Sequence, residues 1–156
     1  MTRAQPKSVV VPEKIFISSI NITNAQVNTA QGIASNSWDK MEYQVKTKSQ
    51  FSRNTNDCKI VLSTDFRKND ENREPIISAN FTIEFVFIIE NLDEFRFVDE
   101  KKNENEEPTI KIHKDLGIAL MSIVYSTARG IILTRTAGTV LDGAILPVID
   151  PASILS

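Results

Sequence analysis

The chain has one cysteine and one histidine in 156 residues. A lone Cys58 cannot close an intramolecular disulfide, and the simpler setting for such a chain is a reducing compartment. A lone His113 cannot build a metal centre that needs three or four protein ligands. Glycine is scarce too, with five in the chain, the nearest pair being Gly138 and Gly143. None of them builds a phosphate-cradling GxGxxG or GxxxxGKS/T loop, and no GxSxG nucleophile elbow is present. Carboxylates are plentiful but fall on polar strand faces or in one charged loop, so no facing pair suggests general acid–base work. The expectation is a protein that is not an enzyme and uses no metal and no cofactor.

Charge of one sign is also lacking. Eighteen basic residues against twenty acidic ones leave a net charge of −2, which offers nucleic acid and anionic lipid little attraction. Lys46 and Lys48 stand on a polar strand face without the interleaved aromatics that single-stranded nucleic acid would need. The N-terminus "MTRAQPKSVVVPEK" lacks the apolar core of a signal peptide. No charge-free apolar run reaches the length of a membrane span; the longest, Leu116 to Leu133, carries Arg129 and several hydroxyls. We expect a soluble, cytoplasmic protein without membrane insertion, a single domain over residues 1–156 with 1–13 flexible.

What the chain does have is alternation. Four stretches read as strands: Lys14 to Thr29, Met41 to Phe51, Cys58 to Phe66 and Ile76 to Glu90. The first changes apolar phase near Ser18 and Ser19, which predicts a bulge. In the second, Met41, Tyr43, Val45 and Phe51 share one face and Glu42, Gln44, Lys46, Lys48 and Gln50 the other. In the fourth, Ile77, Ala79, Phe81, Ile83, Phe85, Phe87 and Ile89 share a face. The polar turns "SRNTND" and "KNDENREP" suit antiparallel hairpins. The outer face of the fourth strand begins polar and ends apolar at Val86 and Ile88, an end that a partner subunit, a loop or a bound chain should cover. "DEKKNENEEP" reads as a solvated charged connector, with a docking patch for a basic partner as the other reading.

Lys114 to Thr136 reads as the one long helix, with Gly138 placed as a C-cap glycine. Its apolar residues run nearly all round: Leu116, Leu120, Ile123 and Ile131 on one side, Ile118, Met121, Tyr125 and Ile132 towards the other. Only Ser122, Ser126 and Arg129 make a thin polar strip. A helix apolar on all sides is buried on all sides. With one side on the sheet, the second side predicts an oligomer interface through Ile118, Met121, Tyr125 and Ile132, joined by Val86 and Ile88. The fold class expected is α+β, a four-stranded antiparallel sheet with one long helix on one face, in an oligomer. Trp38, in the polar loop "QGIASNSWDK", either plugs a core gap or marks an apolar binding surface.

Two stretches then carry a resemblance. "NSWDKMEYQVKTKSQF" resembles the crossover loop and second strand of the SecB protein-export chaperones. "YSTARGIILTRTAGTVLDGAILPVIDPASIL" resembles that family's end of the long helix, glycine, Leu-x-Pro-Val and final helix, through Tyr125, Ala128, Arg129, Gly138, Leu146, Pro147 and Val148. The resemblance runs in order over nearly the whole chain. It implies a homotetramer, a dimer of dimers, acting as a holdase for unfolded preproteins or other non-native polypeptides. The client-binding residues expected from it are Trp38, Ile33, Met41, Tyr43, Phe85, Phe87 and Leu146; of these, Tyr43, Phe85 and Phe87 are equally suited to packing under the helix.

The chain departs from the family pattern in three ways. After Pro147-Val148 it allows a cap at Asp150, Pro151 at the first helical position and about one helical turn. Asn24 and Asn28 stand where acids of the family dock the translocation ATPase SecA, with Glu84 a remaining acid. An extra residue precedes Arg129. The first two weaken SecA as a partner and leave client binding standing. Two functions therefore stay open: a SecB-like holdase, and an oligomeric adaptor or structural module of the same fold that binds one specific partner protein.

Overall fold

The computed structural model describes residues 8–30, 41–99 and 109–155. Strands β1 (Ile15–Thr29), β2 (Glu42–Phe51), β3 (Asp57–Asn69) and β4 (Pro75–Ile89) form one sheet in the order β1-β4-β3-β2. Every pairing is antiparallel. Strands β2, β3 and β4 follow one another through tight turns, while the connection from β1 to β2 carries the chain from one edge of the sheet to the other. The β3–β4 turn is held by Asp70, whose Oδ1 accepts from the amides of Asn72 (2.8 Å) and Glu74 (2.9 Å). Arg73 in that turn takes a φ of +64°.

The bulge expected near Ser18 is present as a register shift between Ile17 and Ser19. A second shift, between Ile22 and Asn24, was not anticipated. Each inserts one extra residue into β1, and the two together restore the pleat. As a result Ile15, Ile17, Ile20, Ile22, Ala25 and Val27 all pair with the inward-facing residues of β4.

Alternate residues of β3 and β4 build the core. Cys58, Ile60, Leu62 and Phe66 from β3 and Ile77 through Ile89 at odd positions on β4 are buried against helix α1 (Lys114–Thr136). Each large aliphatic side chain so buried contributes roughly 1.5–3 kcal/mol. The helix begins at an N-cap His113, whose Nδ1 accepts from the Asp115 amide at 3.4 Å, and stops at Ala137 before Gly138 at φ +76°. A positive φ costs glycine nothing, which is why the helix ends there. By length and apolarity α1 would also suit a membrane, but Leu116, Leu120, Val124, Ala128 and Ile132 are buried within the chain.

The second side of α1 corrects the expectation. Met121, Tyr125 and Ile132, assigned to an oligomer interface, are buried inside the protomer. The cover on that side comes from the chain's own C-terminal segment, which folds back along α1 and ends in a 3-10 turn at Pro151–Ile154. Ile118 is only half-buried, and Leu133 is exposed. A further addition is a two-stranded ribbon, β5 (Arg96–Asp99) with β6 (Thr109–Ile112). It anchors the entry to α1, since the His113 amide donates to the Phe95 carbonyl at 2.8 Å.

Candidate functional site

The inward face of β2 carries Tyr43, Val45, Thr47, Ser49 and Phe51, because these residues pair with the core residues Phe66, Thr64, Leu62, Ile60 and Cys58 of β3. β2 is an edge strand. The C-terminal segment lies between this face and α1. Two α1 side chains fasten it: Tyr125 Oη donates to the Pro147 carbonyl at 2.6 Å and Arg129 Nε to the Leu146 carbonyl at 2.8 Å. Burial, with Tyr43 nearby, raises the Tyr125 pKa, opposed by Arg129, so the phenol stays protonated as a donor. Asp150 caps the final turn, its Oδ1 accepting from the Ala152 amide at 3.0 Å. The Thr47 hydroxyl donates to the Ile154 carbonyl.

These fastenings bury Leu146 but leave its neighbours outside. Ile145 is 55% exposed and Val148 82% exposed, and Tyr43 on β2 keeps 48% of its surface in solvent. A cavity of about 230 Å³, with Leu155 in its wall, opens between the end of β2, β6 and the first turns of α1. The opposite edge of the sheet is also partly bare. The inward-facing Ile17 and Ile20 of β1 are 43% and 39% exposed. Beside them a shallow hollow runs between Ile22 and the Thr127–Gly130–Ile131 stretch of α1. On the outer face, Phe16 pairs with Ile88, and both are exposed next to half-buried Val86.

The residues expected to bind a client divide into four groups. Trp38 and Ile33 lie outside the described residues. Tyr43 is accessible, and Met41 is half-buried against the core. Phe85 and Phe87 are wholly buried under α1, with their rings stacked at 6.4 Å between centroids, so neither presents surface to a ligand. Leu146 is likewise buried. The correction has one cause: an alternating strand marks its apolar face without showing which part of that face the helix covers. Sequence reasoning missed Thr47 and Gly117, which meet the C-terminal segment at the Ile154 carbonyl and the Leu155 side chain. Their only advance signal was their position on the inward face of β2 or on a buried helix row.

Burial pushes the Cys58 thiol up to about 12, leaving a protonated, inaccessible sulfur. Among the described residues, no group of three His, Cys, Asp or Glu side chains could hold a metal ion.

No protein-family model matches the sequence, and no curated protein does. Solved structures do match. One is the SecB-like chaperone of Mycobacterium tuberculosis in complex with a ChAD peptide from the HigA1 antitoxin. It shares 12% sequence identity with this chain at a TM-score of 0.54, and the match covers 88% of this chain and 91% of that one. At that identity the likeness is one of fold. The chain has the fold of a SecB-like chaperone.

Proposed function

We propose that the protein is an oligomeric, SecB-like adaptor that binds an extended segment of one specific partner protein. The observation that carries this reading is the fold shared with a chaperone held in complex with an antitoxin peptide. Open apolar surface on the helix side of the sheet supports it, at Tyr43, Ile145 and Val148. The two edges of the sheet have separate duties. The β1 edge, with Ile17 and Ile20, and the outer corner of Phe16, Val86 and Ile88 meet other subunits in a cytoplasmic homotetramer. The β2 edge and the C-terminal segment, together with Trp38 and Ile33, meet the partner. No export step through SecA is part of this reading, because amides replace the acids at Asn24 and Asn28.

A second reading, a holdase for many unfolded polypeptides, is favoured by the wide exposure of Ile145 and Val148. Distributed apolar contact and free strand-edge hydrogen bonds accept many sequences. One experiment separates the two. The protein is added to a dilute, aggregating unfolded client and light scattering is followed. Unchanged scattering, with saturable binding to a single partner segment, supports the adaptor; suppression at near-stoichiometric amounts supports the holdase. In either case Trp38 fluorescence should shift on binding, and Trp38→Ala should weaken binding with the oligomer intact. A Trp38→Ala protein that binds as well as the parent reduces the tryptophan to a core plug.

A further inference from the structure

Three hydrogen bonds fasten the C-terminal segment to α1 and β2: Arg129 Nε to the Leu146 carbonyl, Tyr125 Oη to the Pro147 carbonyl, and the Thr47 hydroxyl to the Ile154 carbonyl. All three end on the segment's main chain. They select an extended backbone and leave its side chains unread. Side-chain selection comes from two leucines. Leu146 is buried, and Leu155 is seated on Gly117, where a Cβ would lie 2.8 Å from Leu155 Cδ1. Pro147 adds preorganisation. A proline fixes its own φ and holds the residue before it extended, so a Leu-Pro step presents both carbonyls free of internal bonds.

No strand ladder knits the segment into the sheet. Residues 144–150 belong to neither a helix nor a strand, so their release unzips nothing. Elements held in this way open at the low end of a protein's stability range. The donors also enforce exclusive use. Tyr125 and Thr47 carry one hydroxyl proton each, so neither can serve a second carbonyl at the same time. A polypeptide that enters between β2 and α1 must take the place of the segment already there.

We propose that the C-terminal segment is a tethered resident ligand of the groove, and that the partner binds by displacing it with an extended segment carrying a Leu-Pro step. The partner's leucine takes the place of Leu146, and the carbonyls of its leucine and proline accept from Arg129 and Tyr125. This rests on the proposed function, since it names how that groove is kept closed and which sequence opens it. The tether holds the resident segment at an effective concentration on the order of millimolar, so the groove is shut to weak ligands.

The test uses a fluorescein-labelled peptide that copies residues 142–152, "DGAILPVIDPA", followed by anisotropy on the full chain. It stops short of the Thr47 and Gly117 contacts. Two full-chain variants loosen the resident segment and leave the peptide's own contacts in place. Leu146→Ser should raise peptide affinity at least about tenfold, because the resident loses its buried leucine. Gly117→Ala, which presses on Leu155 from the far end, should raise it several-fold. Tyr125→Phe gives the sharper readout. Added to Leu146→Ser it should weaken binding about fivefold. In the parent it should change little, because the resident and its competitor lose the same bond. A peptide with Ser-Ala in place of Leu-Pro should bind at least about tenfold more weakly. Equal affinity for the parent and Gly117→Ala, or a Ser-Ala peptide that binds as well as the Leu-Pro one, overturns the proposal even where Leu146→Ser fails to fold. If partner binding then still depends on Trp38, the proposed function stands without displacement; if no polypeptide binds at all, both fall.

Discussion

Thr64 faces inward from β3 between the Leu62 and Phe66 side chains, and its Oγ1 is buried without a partner among the described residues. Replacing an unsatisfied hydroxyl with a methyl of nearly the same shape removes a desolvation cost, so Thr64→Val should stabilise the fold by about 1 kcal/mol. Urea titration with an unchanged m-value would check it, and a loss of stability would mean that the hydroxyl has a partner in solution. Cys58, on the same strand, gives a pH dependence. Its folded pKa is raised from 9.0 to about 12 by burial. Its contribution is fully present below pH 9. Between those two values the unfolded chain has lost the proton while the folded chain keeps it, so stability falls as pH rises. Cys58→Ala will be less stable at neutral pH because it leaves a cavity. The gap to the parent should nevertheless narrow above pH 9, by at most about 1.4 kcal/mol per pH unit. A gap that stays constant up to pH 11 would show that the thiol is not shielded.

The helix and the segment folded over it behave as one unit. Met121 lies in the α1 face that this segment covers, and it is 1% exposed. Met121→Glu should therefore unfold the protomer rather than release intact subunits, as circular dichroism and sedimentation together would report. Folded monomers from this variant would restore Met121 to a subunit interface. Gly117→Ala tests the segment from the other side. Its new methyl would press on Leu155, so the last residues should become sensitive to protease while the sheet stays protected. The sequence carried much of this and not all of it. Four strands and one helix were legible because alternation over ten or more residues leaves few alternatives. The β5–β6 ribbon was not, because four-residue strands fall below the length at which a period can be recognised. The cover over Met121 and Tyr125 was invisible for another reason. A sequence shows that a helix face is apolar, and a tail or a subunit can satisfy it equally. Asp150 and Pro151 were legible as the start of the last turn because a cap is a local matter.

At the scale of the molecule, the proposed oligomer has only the surfaces left after the C-terminal segment is docked. With Met121, Tyr125 and Ile132 closed off, the proposed oligomer would use the exposed apolar surface along β1 and at the corner of Phe16, Val86 and Ile88. Sedimentation at micromolar concentration should show an oligomer. Ile17→Glu combined with Ile20→Glu should dissociate it and leave a folded protomer, since both side chains are already about two-fifths exposed. A stable monomer of the parent chain would remove the oligomer.

The sheet order also has a consequence in time. β1 is made first, yet its partner residues run from Ile77 to Ile89 of β4, the last strand of that sheet to be made. Until β4 has left the ribosome, Ile15, Ile17, Ile20 and Ile22 lack their partners Ile89, Phe87, Phe85 and Ile83. β3 and β2 can meet through their short turn long before. Closing so long a loop is slow relative to hairpin formation. The newly made N-terminal strand is therefore itself, for a while, an unfolded apolar polypeptide. Ribosome-bound chains stopped just before β4 should therefore leave β1 open to protease, and chains stopped after it should protect it.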